Sequence, residues 1–277
     1  MDFKLQFDKY KGEIELFLSN YISSLEYPKQ LKDAITYALL GSGKRVRPVL
    51  FISLCKEYSK INESAMLFAI AIEILHNYSL IHDDLPCIDN DDYRRGRLTV
   101  HKAFNEPLAL LAGDTLLNLA YETIAIAIEK SEDKTAYIKA FNLFSSLTGG
   151  CGLIGGQTVD IDKNTTLDRK TLDYVYYNKT GALFALSLGC ASIICNEDSN
   201  KAKELGYEIG YIFQLVDDIL DDDRSFSIKN LYSFEEINDI LKNKKESVLN
   251  ACKTLKNGDF IQGFIEYVSN RRNWINF

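Results

Sequence analysis

The stretch His76-Asn-Tyr78-Ser79-Leu-Ile-His82-Asp83-Asp84-Leu-Pro86-Cys-Ile-Asp89-Asn-Asp91-Asp92-Tyr-Arg94-Arg95-Gly96-Arg97 decides how the rest of the chain is read. Five aspartates fall within ten residues, and three arginines follow within five more. Carboxylates this close repel one another. A wet surface would absorb that repulsion, but the run follows Ala69 to Ile81, which is almost wholly apolar. A buried helix therefore ends in the carboxylates. Pro86 disfavours helical geometry at Leu85 and stops the helix there. Asp83 and Asp84 then sit in the last turn, where the helix dipole is unfavourable to anions. A hard cation offsets such an arrangement, and magnesium takes one or two carboxylates while leaving other positions to water and phosphate. The arginines supply forks that match phosphate oxygens.

The same chemistry returns at Phe213-Gln214-Leu-Val-Asp217-Asp218-Ile-Leu-Asp221-Asp222-Asp223. Asp217 and Asp221 are four apart and Asp218 and Asp221 three apart, so they share a helix face. Two acidic patches, each closing a long apolar helix, form a specific signal where one would be weak.

The 277 residues are 46% hydrophobic and 26% charged, an ordinary globular composition. The net charge is -7. The two clusters hold ten aspartates, so the remainder is near +3 and the acidity is local. There is no basic face and the pI is about 5.2, so nucleic-acid binding finds no support. The six cysteines make no CxxC pair and no Cys/His ligand spacing, which suits reduced, mostly buried thiols in a cytosolic protein. Met1 to Tyr10 lacks a signal-peptide core. No apolar run is expected to reach the length that spans a bilayer.

All four prolines lie in the first 107 residues, and the proline-free remainder suits long helices. No alternating strand bounded by hairpin turns is apparent. The reading is a single all-α domain over residues 1–277. Gly41-Ser-Gly43-Lys44-Arg45-Val-Arg47-Pro48 falls short of a P-loop, because its second glycine comes too early and no Ser or Thr follows the lysine. It is still a flexible turn carrying three cations. Asp114, one polar residue on an apolar helix, reads as structural. Five glycines lie between Gly149 and Gly156, ahead of Gln157 and Asp160, which suit either a shared site or a cap. Leu172 to Cys195 reads as one long helix, on which Lys179 must snorkel or meet an anion.

Taken together, these residues resemble the trans-isoprenyl diphosphate synthases, and among them the bacterial farnesyl diphosphate synthases. The resemblance covers roughly residues 30–255. Asp83-Asp84-(four residues)-Asp89 with Arg94-Arg95-Gly96 looks like the first aspartate-rich motif, and Asp217-Asp218-x-x-Asp221 like the second. Gly43-Lys44-Arg45-x-Arg47-Pro48, Gly156-Gln157-x-x-Asp160, Lys179-Thr180 and Phe213-Gln214 are similar to the family's other signatures, in order.

The resemblance implies an all-α bundle around a deep central cavity, with the two motifs facing each other at its mouth. It implies about three magnesium ions held by Asp83, Asp84, Asp89, Asp217, Asp218 and Asp221. Lys44, Arg47, His76 and Arg95 would hold isopentenyl diphosphate, and Arg94 and Lys179 the allylic diphosphate. Thr180 and Gln214 would line the path of an allylic carbocation. Asp83, Asp84, Asp217, Lys179, Thr180 and Gln214 would then form the catalytic set. Tyr78 and Ser79, one turn before Asp83, would set product length, and an aromatic ring at Tyr78 points to the fifteen-carbon product. A cytoplasmic homodimer is the family's habit.

Alternatives are a geranyl or geranylgeranyl diphosphate synthase, or a non-catalytic partner subunit. A class I terpene cyclase shares the ionisation chemistry but has no use for Lys44, Arg47 and Arg95. His82-Asp83 superficially suggests a metal-hydrolase dyad, for which three histidines supply too few ligands. The chain departs from the family after Asp223: the segment to Tyr232 is short and lacks glycine, with Lys229 as its lysine.

Overall fold

The computed structural model describes residues 2–162, 164–220, 227–253 and 255–270. Its contacts fall into two compact units, Met1–Ile52 with Ile61–Lys134, and Ser53–Lys60 with Thr135–Phe277.

In the first unit, α1 (Phe3–Ser24), α2 (Lys29–Leu39) and the start of α3 (Val46–Glu57) precede α4 (Glu63–Asp83). A two-stranded ribbon follows, β1 (Tyr93–Arg94) and β2 (Arg97–Leu98), then the short α5 (Val100–Ala103) and α6 (Glu106–Lys130). Asn62 caps α4 by accepting from Ala65 N, and Asn105 caps α6 by accepting from Leu108 N, with Pro107 in the first turn. Phe68, Ala69, Ile70, Ala71, Ile72, Ile74 and Leu75 of α4 are fully buried. A helix that is apolar all round is a core helix, and α4 packs along α6. Both helices pass a test of length and composition for crossing a bilayer, as core helices buried inside a protein also do. The most apolar window of α4 is 83% buried inside the protein and that of α6 44%.

In the second unit, α7 (Lys134–Thr148), α8 (Leu153–Ile161) and α9 (Arg169–Val175) lead to a π turn, Tyr176–Gly181. Then come α10 (Ala182–Ile194), α11 (Ser199–Leu220), a 3-10 turn at Ile228–Asn230, α12 (Phe234–Cys252) and α13 (Gly258–Ser269). Ser233 and Glu236 form a capping box on α12.

The all-α expectation holds, with three local corrections. The hairpin Tyr93–Leu98 is a strand pair where none was expected. The glycine-rich stretch 149–156 runs into a helix, α8. The single helix expected from Leu172 to Cys195 is α9 and α10 joined through the π turn. Cys55, Cys190, Cys195 and Cys252 are buried, whereas Cys87 and Cys151 are exposed.

Candidate active site

The cationic turn after α2 is built around Arg45, whose φ is +53°. Its buried guanidinium donates from Nη1 to Glu73 Oε1 at 2.8 Å, and from Nη2 to Leu39 O at 2.7 Å and Gly41 O at 2.9 Å. Arg45 thus satisfies carbonyls at the end of α2 and neutralises a carboxylate buried inside α4. With Arg45 turned inward, Lys44 is exposed and Arg47 half-buried. Arg47 Nη1 lies 3.1 Å from His76 Nε2. A guanidinium only donates, so Nε2 accepts and the ring proton sits on Nδ1, which is buried with no hydrogen-bond partner. Burial, then the charges of Arg47, Arg95, Arg94 and Arg45, hold the His76 pKa well below 6.5. His76 is neutral.

Arg95 and Gly96 are the two loop residues of the hairpin, since Arg94 pairs with Arg97. Their φ values, +53° and +74°, are those of a type I′ turn. Arg97 stacks on the Tyr37 ring at 4.1 Å, and Tyr37 OH donates to Leu98 O at 2.8 Å, so the ribbon is docked on α2. Arg95 Nη1 donates to Ser42 O at 3.1 Å. Gly41, Ser42, Asn77, Arg94, Arg95 and Arg97 border a small open pocket of about 60 Å³.

The first acidic motif closes on the end of α4. Asp89 N donates to Asp83 O at 3.0 Å and Asn90 N to Leu85 O at 3.1 Å, with Asn90 at φ +54°. The turn through Pro86 and Cys87 therefore carries Asp89 back to Asp83. Asp83 is half-buried and Asp89 exposed. Asp84 behaves differently: it is buried, and its Oδ1 receives Arg94 Nε at 2.7 Å and Arg94 Nη2 at 2.6 Å. Burial raises its pKa, and the Arg94 hydrogen bond opposes that rise. His82 is turned away from the acidic motif. It fills the notch at Gly113 of α6, where a Cβ would stand 2.1 Å from its Nε2, and that atom lies 3.2 Å from Leu110 O and 3.7 Å from Asp114 Oδ1. Tyr78 is buried edge-on to His82, with ring centres 5.2 Å apart, and Ser79 Oγ donates back to His76 O at 2.9 Å.

In the second unit the π turn presents Lys179 and Thr180. Such turns recur at functional sites. Lys179 Nζ reaches Asp160 Oδ2 at 2.5 Å, which gives Asp160 of α8 a role its spacing had left open. Gly156 makes this possible: a Cβ there would stand 2.3 Å from Lys179 N. Thr180 Oγ1 donates to Gln214 Oε1 at 2.7 Å. Gln214 Nε2 donates to Asp218 Oδ1 at 2.8 Å. Tyr176 OH and Ile228 N also donate to Asp218, so this fully buried carboxylate is engaged inside the protein and turns no oxygen to solvent. Asp217 is half-buried. Asp221 lies outside the described residues, as do Asp222 and Asp223.

Among the described residues no three His, Cys, Asp or Glu side chains converge as a preformed metal site. The donor chemistry nevertheless fits a hard divalent cation. Asp83 and Asp89 stand together at the carboxyl end of α4, and Asp217 in the last turn of α11, where helix dipoles disfavour uncompensated anions.

The polyprenyl synthetase family model matches residues 28–253. A farnesyl diphosphate synthase from Geobacillus stearothermophilus is 38% identical over 218 residues, 77% of this chain and 73% of that protein. A chloroplastic geranylgeranyl pyrophosphate synthase from Catharanthus roseus is 40% identical over 199 residues, 70% of this chain and 56% of that protein, so identity alone does not separate product lengths. The crystal structure of an FPP/GFPP synthase from Zymomonas mobilis superposes with a TM-score of 0.89 at 30% identity, covering 96% of this chain and 98% of that one. Through the match over residues 28–253 and these relatives, the chain belongs to the polyprenyl synthetase family.

Proposed function

We propose that the protein is a trans-prenyltransferase that joins isopentenyl diphosphate to dimethylallyl or geranyl diphosphate and releases farnesyl diphosphate. The observation that carries this is the placement of Arg94, Arg95 and the Arg47–His76 pair around the same core helix whose carboxyl end folds Asp89 back onto Asp83.

Arg47, His76 and Arg95, with Lys44 at the rim, hold the isopentenyl diphosphate. Neutral His76 accepts from Arg47 and orients it, where another cation would add to the repulsion among the arginines. Arg94, braced by Asp84 in the first unit, and Lys179, braced by Asp160 in the second, are the cations each unit offers the allylic diphosphate. Asp83 and Asp89 of the first unit, and Asp217 and Asp221 of the second, would each offer carboxylates to magnesium, about three ions by the family's habit, with Asp84 and Asp218 held behind them by Arg94 and Tyr176. Magnesium bound there would neutralise the diphosphate and make it a better leaving group. The allylic C–O bond breaks with its electron pair going to the diphosphate. The double bond of isopentenyl diphosphate then forms the new C–C bond, and the proton it loses passes to the departing diphosphate. Thr180 and Gln214 face the carbocation with oxygen dipoles, which is catalysis by positioning and preorganised electrostatics.

Tyr78 ends the cavity and sets fifteen carbons; a floor placed differently would give the geranyl or geranylgeranyl product. We read the 277 residues as one domain, in keeping with a family match that runs unbroken across both units, and the protein as a cytoplasmic homodimer.

The test is incubation with magnesium, isopentenyl diphosphate and each allylic diphosphate in turn, followed by product masses. A fifteen-carbon diphosphate is expected. Folded protein that yields no condensation product overturns the reading, and a longer product overturns the role of Tyr78 alone.

A further inference from the structure

Tyr176 sits in the π turn, 1% exposed, and its hydroxyl donates to Asp218, which is 0% exposed. An ionised carboxylate can only accept. Its Oδ2 also receives Ile228 N at 3.2 Å and its Oδ1 receives Gln214 Nε2 at 2.8 Å. Because Asp218 accepts, the Gln214 amide must turn its NH₂ toward it. Gln214 Oε1 then faces Thr180 Oγ1, 2.7 Å away. An amide oxygen also only accepts, so the Thr180 hydroxyl directs its proton at Gln214 and keeps its lone pairs for its other side. One buried anion thus fixes the direction of every dipole along the chain Asp218, Gln214, Thr180.

We propose that Tyr176 and Asp218 are positioning residues that set the polarity of the Thr180–Gln214 pair, so that oxygen lone pairs, and not N–H or O–H groups, meet developing positive charge. The inference rests on the prenyl-transfer reading and deepens it. Two substitutions perturb polarity with little change of shape. Tyr176→Phe removes a donor that holds Asp218. Asp218→Asn keeps an acceptor for Tyr176 and Ile228 but adds an NH₂ facing Gln214. The Gln214 amide must then reverse, its NH₂ takes the Thr180 oxygen, and the Thr180 proton turns toward the cation. Tyr211→Phe is the comparison: Tyr211 is equally buried, and its hydroxyl donates to Asp173 at 2.8 Å and not to Asp218.

The expected result is a kcat at least about tenfold lower in Tyr176→Phe and lower again in Asp218→Asn, with KM for isopentenyl diphosphate within about twofold of the parent, since that substrate meets other residues. Tyr211→Phe lowers the melting temperature comparably and leaves kcat near that of the parent. Binding of an allylic diphosphate analogue with a protonated amine at the reacting carbon, compared with its carbon isostere, should lose its preference for the amine in the first two variants only. A loss of kcat no greater than that of Tyr211→Phe overturns the proposal, as does an unchanged preference for the amine. Failure of the parent to condense its substrates would sink the prenyl-transfer reading instead.

Discussion

Replacing Arg95 separates the conformational cost of the hairpin from the function of its tip. Arg95 has φ +53° in a two-residue loop whose second residue is Gly96 at +74°. A type I′ turn favours Asn-Gly, and an L-residue with a Cβ in the left-handed region is disfavoured by about 1–2 kcal/mol. Arg95→Asn relieves much of that and gives up the exposed bond to Ser42 O at 3.1 Å, worth about 0.5–1 kcal/mol. Arg95→Ala gives up the same bond and retains the strain. The asparagine variant should therefore be about 1 kcal/mol more stable than the alanine variant, roughly 2–4 °C in melting temperature for a chain of this size. Both lose a charge-assisted contact to the isopentenyl diphosphate, about 1.5–3 kcal/mol, or roughly 10- to 100-fold in kcat/KM. Calorimetric melting and steady-state kinetics on the two variants are the assay. Equal melting temperatures would refute the strain argument, and parental kcat/KM in both would refute the substrate contact.

Other outcomes are as direct. His76 has a folded pKa well below its unfolded value of about 6.5, so the unfolded state binds more protons below pH 6.5. Its contribution is complete above that pH and is lost as pH falls toward the folded pKa, with a slope approaching about 1.4 kcal/mol per pH unit. Urea titrations at pH 7, 6 and 5 should show a shallower pH dependence in His76→Gln than in the parent; parallel curves would refute the assignment. Gly156→Ala puts a Cβ 2.3 Å from Lys179 N and 2.7 Å from Asn178 C, both backbone. It should destabilise the protein by about 1–3 kcal/mol and lower turnover through Lys179, and denaturation with kinetics would detect either effect missing. Tyr78→Ala should lengthen the product, read by mass after incubation with geranyl diphosphate; an unchanged fifteen-carbon product excludes Tyr78 as the limit.

The helices that carry the site were legible where local chemistry fixes them. Apolar residues without a break from Ala69 to Ile72, capped by Asn62 and stopped ahead of Pro86, could only be a core helix. The cations of the Gly41–Arg47 turn and the two acidic helix ends were legible as charge that needs a partner. What could not be read was which of them turn inward. Arg45 is buried because Glu73, 28 residues away, needs a counter-charge. Asp84 and Asp218 look identical to Asp83 and Asp217 in sequence, and what distinguishes them is their partners, Arg94 for the one and Tyr176, Gln214 and Ile228 for the other. The hairpin tip was hidden because an arginine occupies a position where Asn or Gly would have announced the turn. The helix at Leu153–Ile161 was missed because tertiary contact overrides the low helix propensity of glycine.

The π turn at Tyr176–Gly181 also bears on how this chain can change length. A residue added within a continuous helix rotates everything after it by about 100°, since an α-turn holds 3.6 residues. The thirteen residues of α10 that follow, twelve of them buried, are therefore phased by the wide turn that precedes them. Deleting any one residue between Tyr176 and Gly181 would let the helix run straight and swing Phe184, Leu186 and Leu188 out of register with α11. Substitutions in this segment act where they fall, whereas a one-residue deletion is read by the whole of the next helix. Among relatives that share this packing, insertions and deletions should accumulate in the loops on either side and be absent from these six positions.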